Sequence, residues 1–226
     1  GVDQAMSIEI ENRRPVKSRS VLFFHKLAKL FLAMGLSPNQ VSILSSVCAA
    51  FGGFSLILAQ LPNDSIWKSV FLILALLGVQ GRLVCNLVDG LMAVEGGKKT
   101  PAGELFNDLP DRISDVTLLL CAGIASRSAP GLWHPMEMAW TASLLAVLTA
   151  YIRVLGASMG AGHFFLGPMA KQHRMATLNL GIIGSIFEGF FSEKFGYSLY
   201  FSLIIISLGS AITCLRRLNA ILKNFQ

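Results

Sequence analysis

Residues 86–115 read NLVDGLMAVEGGKKTPAGELFNDLPDRISD. Six of the chain's 13 acidic residues fall in this stretch: Asp89, Glu95, Glu104, Asp108, Asp111 and Asp115. The sequence on both sides is apolar enough for a membrane. A carboxylate near the bilayer centre costs about 2.5–3.5 kcal/mol on insertion scales, so a cluster of them needs a reason. The simplest is a divalent cation and a polar substrate held between helices. On the upstream helix Arg82, Asn86 and Gly90 are four apart, and Asp89 lies three beyond Asn86, so they share a face. On the downstream helix Gly103, Asn107, Asp111 and Asp115 form one stripe at intervals of four. Two such stripes joined by a short loop face each other. Their carboxylate and amide oxygens suit Mg²⁺ or Mn²⁺. Pro110 removes a helix hydrogen bond to the carbonyl of Phe106, which is expected to open the helix near the site.

The whole chain agrees with a membrane setting. Of its 226 residues 53% are hydrophobic and 14% charged, against about 25% charged in soluble domains. Lipid cannot satisfy an open backbone, so the apolar runs are expected to be spanning helices in an all-α integral membrane protein. The net charge of +6 follows the membrane ends, which points to phospholipid headgroups and not to nucleic acid. Cys48, Cys85, Cys121 and Cys214 lie in or beside apolar runs without metal-type spacing and read as reduced packing residues. Gly1 to Ala5, ahead of Met6, read as a tag remnant, and the polar N-terminus carries no expected cleavable signal peptide.

The expected plan is a basic segment over residues 1–20, an interfacial helix over 21–34 and a six-helix membrane domain over 41–218. In the interfacial helix Phe23, Leu27, Leu30, Phe31 and Met34 recur at helical spacing, with His25, Lys26 and Lys29 on another face. It is too short and too charged to span. Gly35 stops it, Ser37 caps the next helix, and Pro38 fits that helix's first turn. The six spans are expected at Val41 to Leu61, Ile66 to about Val88, Glu104 to about Ser126, Glu137 to about Met159, Arg174 to about Phe191, and Gly196 to Leu215. Arg13, Arg14, Lys17, Arg19, Lys98, Lys99, Lys171, Arg174, Arg216, Arg217 and Lys223 all fall on one side of this plan. By the positive-inside rule both termini and the acidic cluster are cytoplasmic.

At this point the chain resembles a known family, the CDP-alcohol phosphotransferases, whose signature is D-x2-D-G-x2-A-R-x8-G-x3-D-x3-D. Asp89, Gly90, Ala93, Gly103 and Asp111 match it with every gap kept. Gly35-Leu36-Ser37-Pro38-Asn39 is similar to the family's segment ahead of its first span. Asn86 and Asn107 stand where the family has Asp, Val94 stands where it has Arg, and Asp115 lies one turn beyond its last Asp. This N…D-G…G…N…D…D pattern is similar to that of a bacterial branch. The resemblance implies transfer of a phosphatidyl-type group from a CDP-linked lipid, chiefly CDP-diacylglycerol, to a hydroxyl acceptor, with release of CMP. It implies one or two Mg²⁺ or Mn²⁺ ions on Asp89, Asp111, Asp115, Asn86 and Asn107, with Asp111 as general base. Gly90, Ala93, Gly103 and Arg82 would line the CDP and pyrophosphate site. Arg153, Lys171 and Arg174 would hold phosphate, of the lipid or of a phosphorylated acceptor. A homodimer in a bacterial inner membrane is the family expectation.

Several other assignments compete with these. Arg153, Lys171 and Arg174 also suit snorkelling or positive-inside anchoring, and Arg82, one turn from Asn86, also suits offsetting the carboxylates or pairing with one of them. Arg112, four after Asp108, is expected to pair with it on the helix surface. Glu188 is expected to be solvated near Glu193 and Lys194, and His163 and His173 to be solvated loop residues. Asn107-Asp108-Leu109-Pro110-Asp111-Arg112-Ile113-Ser114-Asp115 also fits the N-D-x-x-D-x-x-x-D motif of intramembrane prenyltransferases, but after Asp115 the chain has only Glu137, Glu188 and Glu193 for a second acidic motif. A CDP-lipid-binding member without activity is a further alternative. Transport is disfavoured because the charges cluster at one end and not at the midplane.

Overall fold

A computed structural model describes residues 18–95, 103–129, 133–162, 164–191 and 195–225, and its regular elements there are all helices. The expectations for residues 1–17, the 96–102 loop, Pro130 and Gly131, His163, Glu193 and Lys194 lie outside these residues. The helices are α1 (Ser18–Ala33), α2 (Pro38–Leu58), α3 (Ser65–Glu95), α4 (Gly103–Ala125), α5 (Pro135–Ser158), α6 (Lys171–Phe191) and α7 (Tyr197–Asn224).

The break between α1 and α2 follows its sequence. Gly35 adopts φ +79°, a left-handed conformation that ends α1. Ser37 Oγ accepts from the Gln40 main-chain N–H (3.2 Å), and Gln40 Oε1 accepts from the Ser37 N–H (2.8 Å). This reciprocal capping box, with Pro38 in the first turn, satisfies donors that the helix start would otherwise leave free. Two helices outrun their expected ends. α3 continues past Val88 to Glu95, and α7 past Leu215 to Asn224. Loss of apolarity marks the edge of a membrane, but it does not break a helix, and neither segment contains Pro. α3 is therefore about 46 Å long at 1.5 Å per residue, against a hydrocarbon core of about 30 Å. Pro110 likewise lies within an uninterrupted α4.

α3, α2, α4, α5, α7 and α6 pack in that order as a closed ring, with α4 and α7 also touching and α1 resting on α3. α2 and α3 approach closely at Gly52 and Gly78: a Cβ on Gly78 would lie 2.5 Å from the Gly52 Cα. The core is rich in small residues, among them Ala49, Ala75, Ala122, Ala139, Ala142 and Ala146. α1 buries Ala28 in a cluster with Val41, Cys85, Val88 and Met92, and leaves Leu22, Phe23 and Leu30 exposed.

The outer faces are apolar, with Phe51, Phe54, Leu77, Trp140, Leu144, Phe187, Phe201 and Leu208 exposed, whereas Arg82, Asp89, Asp111, Asp115 and Arg174 are buried inside. This reverses the usual soluble arrangement. Among the described residues, four helices are long and apolar enough to cross a membrane: Pro38–Leu58, Ser65–Val94, Pro135–Ser158 and Tyr197–Asn224. α4 and α6 fall outside that set because they carry Asp111, Arg112, Asp115, Lys171, Arg174 and Glu188.

Candidate active site

The polar residues gather at one end of the ring, where the C-terminal half of α3 meets the N-terminal halves of α4 and α6. Asp89 is 4% exposed and accepts from Ser42 Oγ of α2 at 2.5 Å. Asp111, also 4% exposed, faces it from α4. Asp111 Oδ1 accepts from Asn86 Nδ2 at 2.7 Å and lies 3.6 Å from Arg82 Nη2. Its Oδ2 receives the Lys171 ammonium at 2.5 Å and lies 3.6 Å from Arg112 Nη2. The two helical stripes do face each other, so Asn86, Asp89 and Asp111 share one site.

Asp115 occupies a different place from the expected cation ligands. It is 1% exposed, with Oδ1 on Arg82 Nη2 (2.6 Å) and Oδ2 on Arg174 Nη2 (2.7 Å). Both of its oxygens face a guanidinium, because one further helical turn carries it inward beyond the ammonium of Lys171. Arg82 and Arg174, expected near pyrophosphate and phosphate, are thereby engaged. Arg82 also donates to the main-chain oxygen of Asp111 (3.2 Å), and Arg174 to Met169 O (3.0 Å) and Thr149 Oγ1 (3.4 Å). Asp111 and Asp115 are thus met by Arg82, Arg112, Lys171 and Arg174, whereas Asp89 meets the hydroxyl of Ser42.

Asp108 does not pair with the Arg112 side chain as expected. Its carboxylate accepts from Arg153 Nη2 of α5 at 3.0 and 2.8 Å. Arg112 Nε instead reaches the main-chain oxygen of Asp108 (3.3 Å). The ring brings α5 beside α4, and the longer reach across helices wins over the local pair. Arg153 also lies over the Phe165 ring, 5.5 Å from its centroid. Asn107 is exposed on α4, and Gly90 faces open space, with nothing within 4 Å of a Cβ placed there. Glu188, expected to be solvated, caps α7: it accepts from the main-chain N–H of Gly196, Tyr197 and Ser198 at 2.8, 3.1 and 2.7 Å. Ser42, Thr149 and Arg217 carry no motif, so sequence alone did not single them out. Arg217 donates to Leu166 O (3.0 Å) and to Thr149 O.

The donor set suits a hard cation. Asp111 already holds one cationic group through Oδ2, and the Asp89 carboxylate and the Asn86 amide put further oxygen atoms beside it. Among the described residues no three His, Cys, Asp or Glu side chains converge on one point, so amide or substrate oxygens would have to complete a coordination shell. A groove of about 280 Å³ reaches this end of the site from between α1, α3 and α6, lined by Phe24, Leu83, Val84 and Leu87 with Gln80, Asn86, Lys171 and Gln172.

No family model matches the chain. It is 24% identical over 199 residues to the phosphatidylinositol phosphate synthase of Mycolicibacterium smegmatis, covering 86% of this chain and 82% of that protein. It is 25% identical over 147 residues to the inner membrane protein YnbA of Escherichia coli, covering 64% and 65% respectively. The fold is shared with crystal structures of the Mycobacterium tuberculosis phosphatidylinositol phosphate synthase. The complex with CDP-DAG gives a TM-score of 0.68 at 21% identity, over 88% of this chain and 92% of that one. The complex with manganese and citrate gives 0.69 at 20% identity, over 88% of each. With its apolar helices and membrane relatives, this is an integral membrane protein. The chain is homologous over most of its length to phosphatidylinositol phosphate synthase, a CDP-alcohol phosphotransferase, as the pattern over residues 86–115 led us to expect.

Proposed function

We propose that this chain is a CDP-alcohol phosphotransferase that transfers a phosphatidyl-type group from a CDP-linked lipid, CDP-diacylglycerol above all, to a hydroxyl acceptor and releases CMP. The observation that carries this is the meeting of buried Asp89 and Asp111 from facing helices, with Asn86 bonded to Asp111 and the Lys171 ammonium held on the Asp111 carboxylate. It is supported by homology to a phosphatidylinositol phosphate synthase and by the fold shared with one crystallised with CDP-DAG and with manganese.

Asp89, Asp111, Asn86 and the exposed Asn107 would hold Mg²⁺ or Mn²⁺. When bound, the ion neutralises pyrophosphate charge and stabilises the leaving CMP. The protein's own residues do the rest. The acceptor oxygen attacks the lipid-side phosphorus, the bond to the bridging oxygen of CMP breaks, and the acceptor proton passes to Asp111. Asn86 orients Asp111 for this through its 2.7 Å bond. Gly90, Ala93 and Gly103 leave room for the CDP moiety. Lys171, which rests on Asp111, would be free to bind phosphate in a site where Asp111 held the cation instead. Arg153, part-exposed beside Asp108, adds positive charge on the acceptor side and favours a phosphorylated acceptor, whereas Arg174 is held behind the site by Asp115. The groove between α1, α3 and α6 admits the lipid from the bilayer.

In this reading α4 and α6 also cross the membrane, which makes six spans, and their charges lie against the ring interior. α1 lies in the interface, with Leu22, Phe23 and Leu30 toward lipid and Lys26 and Lys29 toward headgroups. Both termini and the site are cytoplasmic in a bacterial inner membrane, and the protein is a homodimer.

The test is CMP release from CDP-diacylglycerol by purified protein with Mg²⁺ or Mn²⁺, against inositol phosphate, glycerol phosphate, serine and free polyols, with Asp111→Asn beside wild type. Release that requires metal and one acceptor, and is lost in the variant, supports the reading and names the acceptor. CDP-lipid binding without release under any condition makes this a binding protein.

A further inference from the structure

The buried triad behind the site has no place in the sequence signature. Asp115 lies one turn beyond the signature's last position, yet it is among the most buried polar residues of the chain. It joins Arg82 of α3 to Arg174 of α6, at 2.6 and 2.7 Å. The arrangement is costly: Arg82 is 0% exposed, and its Nε and Nη1 have no hydrogen-bond partner, as is also true of Arg174 Nε. Replacing such a triad by apolar residues often stabilises a protein, so burial alone gives no reason to keep it. What the triad does is geometric. The one nitrogen of Arg82 that is engaged, Nη2, bonds both to Asp115 and to the main-chain oxygen of Asp111, and it lies 3.6 Å from Asp111 Oδ1. Arg174 is anchored in turn on Met169 O and Thr149 Oγ1.

We propose that Asp115 is a positioning residue for Asp111 and not a cation ligand: it anchors Arg82, which holds the main chain of Asp111 and keeps its carboxylate against α3. This rests on Asp111 and Asp89 binding the cation, as proposed above. A carboxylate set within a few tenths of an ångström by a buried neighbour is what a cation site and a general base both require.

The decisive experiment measures Mn²⁺ affinity by electron paramagnetic resonance on purified protein in detergent, for wild type, Asp115→Asn, Asp111→Ala, the double variant, and Arg82→Gln. Positioning through Asp111 predicts a loss of affinity of roughly tenfold for Asp115→Asn in the wild-type background, and less than about twofold once Asp111 is Ala. It also predicts that Arg82→Gln weakens Mn²⁺ binding. If Asp115 were itself a ligand, its loss would cost the same in both backgrounds. Arg82→Gln would then tighten binding, because a competing cation has gone. Either result overturns the proposal, as does no loss from Asp115→Asn in either background. Should Asp115→Asn fail to fold, as judged by thermal unfolding without metal, the sign for Arg82→Gln decides alone. In turnover, Asp115→Asn is expected to lower kcat on the order of 10–100-fold with KM for the CDP-lipid nearly unchanged. Wild type that binds Mn²⁺ but releases no CMP defeats the proposed function and leaves the affinity cycle to decide this point. Wild type that binds no Mn²⁺ defeats both.

Discussion

Lys171 sets its ammonium 2.5 Å from Oδ2 of Asp111, across the space between α6 and α4. The contact bears directly on cation binding, because a divalent ion on Asp111 has to displace it. Two unit charges at about 4 Å interact by roughly 4 kcal/mol at an effective dielectric of 20. Lys171 is 26% exposed at its side chain, so solvent reduces this well below the full figure. Lys171→Met is therefore expected to tighten Mn²⁺ binding by roughly tenfold, about 1.4 kcal/mol, while CMP release falls because phosphate loses a cation. Calorimetric titration beside the turnover assay reads both. Weaker Mn²⁺ binding in Lys171→Met would show that the ammonium does not compete for the site.

Asp111→Asn removes the proton acceptor while keeping the shape that Asn86 recognises. General-base removal typically costs about 10²–10⁴-fold, and the loss of one cation ligand adds to that. CMP release per folded molecule is expected to fall by at least about 100-fold, and the unfolding midpoint should also drop, since the neutral side chain leaves the cations around the buried Asp111 without their counter-charge. A variant that retains more than a tenth of the activity would move the base elsewhere.

Two ion pairs of similar length should differ in their effect on stability. Arg174 and Asp115 meet at 2.7 Å with side chains 2% and 1% exposed, whereas Arg153 and Asp108 meet at 2.8 Å with 21% and 41% exposed. Removing one partner of a buried pair strands a charge and costs about 3–5 kcal/mol. An exposed pair contributes about 0–1 kcal/mol. Arg174→Met is thus expected to lower the unfolding midpoint in detergent substantially, and Arg153→Met only slightly. Equal shifts would mean that water reaches the triad.

How far this site is legible in sequence depends on distance along the chain. The stripes Asn86–Asp89–Gly90 and Gly103–Asn107–Asp111–Asp115 follow from helical periodicity, and the structure does bring Asn86, Asp89 and Asp111 together. Periodicity says which residues share a face but not how deep each lies, so it groups Asp115 with Asn107 and Asp111 and does not tell that both Asp115 oxygens meet arginines. Partners from distant helices carry no local signal. Ser42 meets Asp89 across 47 residues, and Arg153 meets Asp108 across 45. The Gly35–Gln40 break was readable in full because every group in it bonds within a few residues. The ends of α3 and α7 were not, because hydropathy reports the solvent and not the backbone.

Glu188 tests whether an acid in an apolar helix marks an ion path or a structural need. Its carboxylate accepts from three consecutive main-chain N–H groups at the start of α7 and from Ser198 Oγ at 2.5 Å. Those N–H groups have no partner within their own helix, and the positive end of the helix dipole favours an anion there. Glu188→Gln keeps one acceptor oxygen and loses the charge, so a cost of about 1 kcal/mol is expected. Glu188→Ala frees all the donors at a half-buried position and should cost about 1–3 kcal/mol. The site lies at the other end of α6, so CMP release per folded molecule should be unchanged in both. Thermal unfolding and the turnover assay on the same preparations separate the outcomes. Unchanged stability with lost turnover would mean that Glu188 serves the chemistry, whereas graded loss of stability with full turnover assigns this charge to helix capping.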